Sequence, residues 1–198
     1  MIRIGIVGDI GSGKSYVSKQ FGFPVFNADL EVSKIYKKNK KCFKKLNKIF
    51  PNYIHSFPIK KKEILKVIFK KKNNIKKINK IVHLEVRSEM NKFLKKNIKK
   101  KAVILDIPLL LENKINNKKD IIVFVKSEKK EVKKRLKKRK NFNPEILKKL
   151  KKLQLPIEIK KKKSDYVLKN DFKHMLVKKN VKMLKKKIFK YDRNNSRY

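Results

Sequence analysis

The sequence predicts an α/β protein of three layers, in which helices cover both faces of a parallel β-sheet. Short apolar runs, typical of buried parallel strands, occupy residues 2–7, 102–105 and 121–125. Stretches with helical spacing separate these runs, and this alternation favours a parallel sheet. The 198 residues are enough for one domain with a real core.

The first half of the chain is interpreted as strand, helix, strand and then helices alone. We predict a helix over Lys14–Phe21, a short strand at Val25–Phe26 and a further helix from about Asp29. Between Lys37 and Lys101 there is no convincing strand, and apolar residues recur at steps of three or four, as on one face of a long helix. These residues, which we interpret as core, are Ile75, Ile78, Val82, Val86, Met90, Phe93 and Leu94.

The second half contains a very basic helical region over residues 129–153. This region is interrupted at Asn143, which can cap a helix that opens on Pro144. A last strand is predicted at Tyr166–Leu168, and a closing helix at Phe172–Phe189.

The composition is strongly basic, with 60 Lys and Arg against 16 Asp and Glu, a formal net charge of +44. The hydrophobic fraction of 40% is too high for a disordered basic tail. The lysines are spread from Lys37 to Lys190, Arg is scarce and Thr is absent, as expected from drift in an A+T-rich genome. We favour drift over selected nucleic-acid binding, which normally uses a clustered patch, although weak adhesion to polyanions follows in either case.

Cysteine content and apolar runs bear on the compartment. Cys42 is the one cysteine, so no internal disulfide can form. The first residues do not read as a signal peptide, and the longest apolar runs are far shorter than a bilayer span. We therefore expect a cytoplasmic protein with no membrane partner, and we favour a monomer.

The segment Gly8–Ser15, "GDIGSGKS", fits the phosphate-loop pattern G-x-x-x-x-G-K-[ST], with a predicted strand before it and a helix after it. All five glycines of the chain lie at or before Gly22, most of them in or beside this segment. Glycines let successive N–H groups curl towards phosphate oxygens, and the helix adds its positive N-terminal end. Lys14 would reach the β- and γ-phosphates, and the Ser15 hydroxyl would ligate Mg²⁺. The loop therefore predicts a bound nucleotide.

Two carboxylates follow predicted strands. Asp29, in "VFNADLEV", is expected at the edge of the cleft where parallel sheets bind ligands, and could accept a proton from an acceptor hydroxyl. An equally good interpretation is that Asp29 caps a helix. Asp106, in "VILDIPLLLEN", follows the third strand, from which a carboxylate meets Mg²⁺ or its water shell.

Two arginines, Arg135 and Arg139, are spaced one helical turn apart in "KKRLKKRKNF". In a chain that otherwise uses lysine, they suggest a need for the planar, bidentate donor that suits phosphate. A solvated basic helix remains the alternative.

Together these segments resemble the dephospho-coenzyme A kinase family. That family has a "GGIGSGKST" loop, "DAD" after the second strand, "LHP" with a following Arg, "DVPLLFE", a basic lid followed by Gln, and a late "ADxVIxN". In the same order this chain has "GDIGSGKSY", "NAD", "VHLEVRSEM", "DIPLLLE", "KKRLKKRK", "KLQLP" with Gln154, and "SDYVLKND". The match spans nearly the whole chain.

The resemblance implies a P-loop NTPase fold that transfers the γ-phosphate of ATP, with Mg²⁺, to the ribose 3′-hydroxyl of dephospho-coenzyme A. The implied core is residues 1–30, 102–134 and 160–198, with a helical substrate-binding insertion at about 31–101 and a basic helical lid at about 135–158. The implied residues fall into four groups. They are Asp29, Lys14 and Arg139 for catalysis; Gly11, Ser12, Gly13, Lys14, Ser15 and Tyr16 for ATP; His83, Arg87, Asp106 and Arg135 for substrate; and Ser15 and Asp106 for the metal.

The chain differs from the family pattern at a few positions. Asp9 replaces a glycine, Tyr16 a threonine, Asn27 an aspartate, Leu84 a proline and Lys140 an acidic residue. A carboxylate at Asp9 would repel a triphosphate unless it points outward. The alternatives that we keep are a nucleoside or nucleotide kinase of similar architecture, a nucleic-acid-binding P-loop protein, and a loop that binds nucleotide without catalysis.

Overall fold

A computed structural model describes residues 1–71, 73–138 and 142–195. The chain divides into two compact units. Residues Met1–Phe26 and Lys99–Tyr198 form the first, which we call the loop unit because it carries Gly8–Ser15. Residues Asn27–Ile98 form the second, which we call the helical unit.

The described residues form five strands in one sheet. In chain order the strands are β1 (Ile2–Gly8), β2 (Val25–Asn27), β3 (Ala102–Asp106), β4 (Ile121–Lys126) and β5 (Tyr166–Lys169). Their order across the sheet is β2-β3-β1-β4-β5, and the pairs β1 with β3, β1 with β4, and β4 with β5 are parallel. The predicted parallel sheet is confirmed, and β1, which leads into the phosphate loop, lies at its centre.

Nine helices are present within the described ranges. They are α1 (Lys14–Gln20), α2 (Ala28–Lys38), α3 (Lys40–Ile49), α4 (Lys61–Lys70), α5 (Asn74–Lys96), α6 (Lys129–Lys137), α7 (Pro144–Lys152), α8 (Ile157–Lys162) and α9 (His174–Asn195). The short α8 was not predicted, because its sequence "IEIKKK" carries no helical apolar period.

Both faces of the central strands are buried, as parallel strands require. All five residues of β3 are buried. Because successive side chains of a strand point to opposite faces, both faces of the sheet are shielded from solvent at β3. The core on one face joins β1 and β3 to α1 and α9 through Ile4, Ile104, Phe21 and Val181. This packing holds α1, the helix that follows the phosphate loop, against the sheet.

The helical unit is built around α5, which packs against α2, α3 and α4. As predicted, Ile78, Val82, Val86 and Met90 lie on its buried face. Ile81, which the prediction did not include, is buried with them. Ile75, Phe93 and Leu94, which were also predicted as core, are half-buried.

Asparagine side chains cap three of the described helices. The Asn27 side chain accepts a hydrogen bond from the Leu30 N–H and so caps α2, and the Asn39 side chain caps α3 in the same way. The predicted cap at Asn143 is confirmed, since α7 begins at Pro144 and the Glu145 N–H donates to Asn143 Oδ1 at 2.8 Å. Asn and Asp are equally good caps, which accounts for Asn27 at a position where the family has Asp.

Glu63 is a buried carboxylate that orders the segment before α4. Only 4% exposed, it accepts hydrogen bonds from the Ser56 hydroxyl at 2.8 Å and from the Lys60 N–H at 3.0 Å, with longer contacts from the backbone N–H groups of His55 and Ser56. Burial by itself would raise the pKa of Glu63, but these donors hold it below the ordinary 4.5. The ionised form is therefore the one that stabilises this segment.

We expect Glu63→Gln to lower the free energy of unfolding by about 2 kcal/mol at pH 7, because the amide gives up a charge-assisted acceptor. Glu63 has a depressed pKa, so its contribution is complete above pH 4.5 and is lost as the pH falls through its folded pKa. The difference between wild type and variant in urea unfolding should therefore shrink below pH 4.5. Glu89→Gln, which removes the same charge at an exposed site, is the control. A deficit that is equal for both variants, or independent of pH, contradicts this role.

Candidate active site

The phosphate loop turns sharply between β1 and α1. Gly11 and Gly13 have φ angles of +83° and +85°, in the left-handed region that side chains disfavour. A Cβ at Gly11 would lie 2.9 Å from Leu136 Cγ, and one at Gly13 would lie 2.3 Å from Asn170 Nδ2. Both positions therefore require glycine for conformation and for space.

The first turn of α1 offers its N–H groups to a ligand. Gly13 is the N-cap residue, no side chain caps the helix, and its first turn in the described structure carries no acidic residue. The partial positive charge of the helix end is thus not offset by an acidic residue of its own first turn. A phosphate group suits this position.

Lys14 lies across the loop that contains it. Its Nζ donates to the Asp9 carbonyl at 2.8 Å and to the Gly8 carbonyl at 3.3 Å. The Asp9 carboxylate accepts the Ile10 N–H at 2.7 Å, so this unexpected acidic residue has a hydrogen-bond donor of its own. The Lys14 ammonium is held beside the backbone that would surround a phosphate.

The Ser12 carbonyl accepts two side-chain hydrogen bonds. Asn170 Nδ2 donates at 2.7 Å and Ser127 Oγ at 2.9 Å. Asn170 follows β5 and is completely buried, and Ser127 follows β4. The loop after β1 is therefore tied to the ends of the next two strands of the sheet.

The segment that leads into α9 also meets the loop and α6. Phe172 has a φ of +64°, and its ring lies 4.4 Å below the guanidinium carbon of Arg135, a cation–π contact. The Tyr16 hydroxyl lies 2.6 Å from His174 Nδ1. Arg135 is exposed on α6, which ends at Lys137, and its predicted companion Arg139 lies outside the described residues.

Asp106 lies at the end of a strand of the loop unit, and Ser15 lies in the helix that follows the phosphate loop. Asp106 is the last residue of β3, is 4% exposed, and follows directly after the register pair of Gly5 with Leu105. Ser15 is exposed in the first turn of α1. Since β1 and β3 are parallel neighbours, their carboxyl ends meet at one edge of the sheet.

Three predicted residues belong to the helical unit. Asp29 is exposed in the first turn of α2, not at the end of β2, and Asn27 rather than Asp29 is the cap. His83 and Arg87 are one turn apart on α5. Burial, and then the Arg87 guanidinium, lower the pKa of His83 below 6.5, so the ring is neutral at pH 7.

A buried ion pair holds the segment between α7 and α8. Lys160 Nζ lies 2.8 Å from Glu112 Oε1 and donates to Gln154 Oε1 at 2.9 Å, and the Leu155 N–H donates to Glu112 at 3.0 Å. Burial would raise the pKa of Glu112, but the bond from Lys160 and the backbone donors lower it overall. Glu112, the last residue of "DIPLLLE", thus anchors the C-terminal end of the predicted lid.

Sequence reasoning missed several residues that shape the loop. Asn170 was quoted only as part of "SDYVLKND", and neither Ser127 nor Phe172 was assigned a role. A polar residue directly after an apolar strand was the available signal for both Asn170 and Ser127, as it was for Asp106.

The site consists of a strand, a glycine-rich loop and a helix, with Lys14 over the loop and Asp106 on the neighbouring strand. This arrangement defines a P-loop nucleotide-binding protein. A family model described as dephospho-CoA kinase matches residues 2–175. The chain therefore belongs to the dephospho-CoA kinase family.

Individual comparisons agree with this assignment. A dephospho-CoA kinase of Wolbachia sp. subsp. Brugia malayi is 34% identical over 170 residues, which cover 83% of this chain and 87% of the relative. One from Bacillus cereus is 34% identical over 193 residues, 94% of this chain and 96% of the relative. A crystal structure from Thermus thermophilus matches with a TM-score of 0.77 at 26% identity, covering 96% of this chain and 97% of the other.

We expect Lys160→Met to lower the free energy of unfolding by about 3 kcal/mol, because it leaves Glu112 buried without its cation. Adding Glu112→Gln to that variant should recover part of the loss, since the uncompensated charge is then removed. Urea unfolding measures both, with Lys161→Met at a neighbouring exposed lysine as the control. If Lys160→Met costs no more than Lys161→Met, the anchoring role is refuted.

Proposed function

We propose that this protein transfers the γ-phosphoryl group of ATP to the ribose 3′-hydroxyl of dephospho-coenzyme A, the last step of coenzyme A synthesis. One observation carries the proposal: a single family model spans residues 2–175, and thus the phosphate loop together with the whole helical unit. A nucleoside or nucleotide kinase is not favoured, because relatives that match most of the chain are named dephospho-CoA kinases.

The loop residues bind the nucleotide. In the proposal the backbone N–H groups of Gly11–Tyr16 surround the phosphates, and Lys14 exchanges its bonds to the Gly8 and Asp9 carbonyls for the β- and γ-phosphate oxygens. Three N–H groups of the uncapped first turn of α1 add to this positive surface.

Asp29 is the proposed proton acceptor. It removes the proton of the acceptor hydroxyl as that oxygen bonds to the γ-phosphorus and the bond to the β-phosphate oxygen breaks, which releases ADP. Its exposed position in the first turn of α2, a helix whose cap is Asn27, supports this role because an acceptor hydroxyl can reach it there.

Arginines are proposed to stabilise the transferred group. Arg139 is assigned to the transition state by its place in "KKRLKKRK" and lies outside the described residues. Arg135 is proposed to contact substrate phosphate with a guanidinium that already lies over the Phe172 ring.

Ser15 and Asp106 fit a magnesium site of the P-loop type. Mg²⁺ with a nucleotide needs only one or two protein oxygens, the rest being phosphate oxygens and water, and these two residues offer a hydroxyl and a carboxylate at the same edge of the sheet. No cluster of three or more His, Cys, Asp or Glu suited to a metal occurs in the described part of the chain. We therefore propose a site shared with nucleotide and water, and not one in which protein side chains supply every ligand. When bound, the ion would neutralise charge on the transferred phosphate.

The helical unit is proposed to bind the acceptor. His83, neutral at pH 7, can donate or accept a hydrogen bond without adding charge, and Arg87 one turn later supplies a donor for phosphate. Within the described residues no helix has both the length and the apolar character to cross a membrane. A cytoplasmic location, a monomeric state and the lack of a specific nucleic-acid partner stay predictions.

The proposal is tested with a coupled assay of ADP release over a panel of acceptors: dephospho-coenzyme A, adenosine, AMP, CMP and shikimate. We expect turnover with dephospho-coenzyme A alone, and we expect Asp29→Asn to lower kcat by about 100-fold or more, because the amide cannot take the proton.

Glu31→Gln, two residues along the same helix, is the matched control and should keep the wild-type kcat. Turnover with a nucleotide as acceptor, and none with dephospho-coenzyme A, would refute the proposed function. An Asp29→Asn protein that kept full kcat would instead remove only the role given to Asp29.

A further inference from the structure

The peptide group between Ser12 and Gly13 has a fixed orientation. A trans peptide is planar, so its carbonyl and its N–H point in opposite directions. The Ser12 carbonyl points at Asn170 Nδ2 and Ser127 Oγ, which donate to it at 2.7 Å and 2.9 Å. The Gly13 N–H therefore points away from both donors.

We propose that Asn170 and Ser127 are positioning residues that aim the Gly13 N–H at a phosphate group of the nucleotide. Neither side chain needs to touch the ligand, since each acts through the Ser12 carbonyl. The inference rests on the proposed function only in so far as the loop binds a nucleoside di- or triphosphate, and the identity of the acceptor does not enter it.

Asn170 is itself held rigidly enough to orient another group. Its backbone N–H donates to the Lys126 carbonyl at 2.8 Å, and its Oδ1 accepts the Phe172 N–H at 3.0 Å. The side chain is completely buried, and because Oδ1 is held by the Phe172 N–H, the amide plane keeps Nδ2 on the side of the Ser12 carbonyl. Ser127 adds a second donor from the end of the neighbouring strand β4.

Gly13 makes the contact possible. A Cβ at Gly13 would lie 2.3 Å from Asn170 Nδ2, which is closer than any real contact, so a side chain there would push Asn170 off the Ser12 carbonyl. Glycine is thus required at position 13 for two reasons. Its φ of +85° shapes the turn, and the absence of a side chain leaves room for Asn170.

A role in folding alone and a role in aiming the peptide make different predictions. Loss of a packing contact lowers the stability of the loop unit and leaves the bound loop geometry as it was. Loss of an aiming contact weakens phosphate binding and changes the environment of the Gly13 amide in the complex, even where stability is kept.

The test uses Ser127→Ala and Asn170→Asp, with ADP as the ligand. Ser127→Ala removes one donor, and we expect ADP to bind about fivefold more weakly by calorimetry, as the loss of one ordinary hydrogen bond predicts. Asn170→Asp keeps the acceptor for the Phe172 N–H but replaces the donor with an oxygen that repels the Ser12 carbonyl. The affinity for ADP should therefore fall tenfold or more, because a charged group is left facing an acceptor.

The second readout is the Gly13 amide proton in NMR spectra at saturating ADP. In wild type it should move to lower field on binding, as a proton donated to phosphate does, and in both variants this movement should be smaller. Ser127→Thr, which keeps the hydroxyl, should retain the wild-type affinity for ADP and the wild-type shift of the Gly13 amide proton. Asn91→Asp, the same change at an exposed asparagine of α5, should change neither.

Affinity within about twofold of wild type for both variants overturns the proposal. So does weaker binding with an unchanged Gly13 shift, which is the signature of a folding role. Should Asn170→Asp fail to fold, Ser127→Ala and Ser127→Thr still decide the question. A wild-type protein that binds ADP without phosphorylating dephospho-coenzyme A refutes the proposed function and leaves this test intact.

Discussion

The carbonyl of Ser12, held by donors from two neighbouring strand ends, is the interaction on which the form of the phosphate loop depends. A chain that surrounds phosphate must turn its N–H groups inward, and glycine permits that turn without selecting it. Selection comes from outside the loop, from Ser127 and Asn170. They are available because β1, β4 and β5 are consecutive parallel strands, whose carboxyl ends meet at one edge.

The charge of the chain shows where residue identity is constrained. With 16 acidic residues against 60 basic ones, several carboxylates nevertheless occupy buried positions with partners: Asp120 with Arg3, Glu112 with Lys160, and Glu63 with backbone N–H groups. A lysine added to the solvated surface costs little, whereas a buried carboxylate stripped of its partner is costly. Drift towards lysine is therefore compatible with a fold whose interior pairs are intact.

Local spacing in the sequence was enough to predict four features. These are the sheet, the phosphate loop, the helix cap at Asn143 and the buried face of α5. Lys160 could not be distinguished from its many lysine neighbours, since only the folded chain brings it to Glu112. Asn170 and Ser12 are 158 residues apart, and no periodicity links them. Asp29 was expected at a strand end and lies in a helix, because Asn27 ends the strand and caps the helix at once.

A crystal structure of the chain with ADP tests most directly whether the loop geometry described here is the one that binds phosphate. This account predicts that the Ser12 carbonyl stays within hydrogen-bond distance of Asn170 and Ser127, and that the Gly13 nitrogen lies about 3 Å from a phosphate oxygen. A complex in which the peptide between Ser12 and Gly13 has rotated, so that the carbonyl leaves both donors and the Gly13 N–H faces away from phosphate, would contradict it.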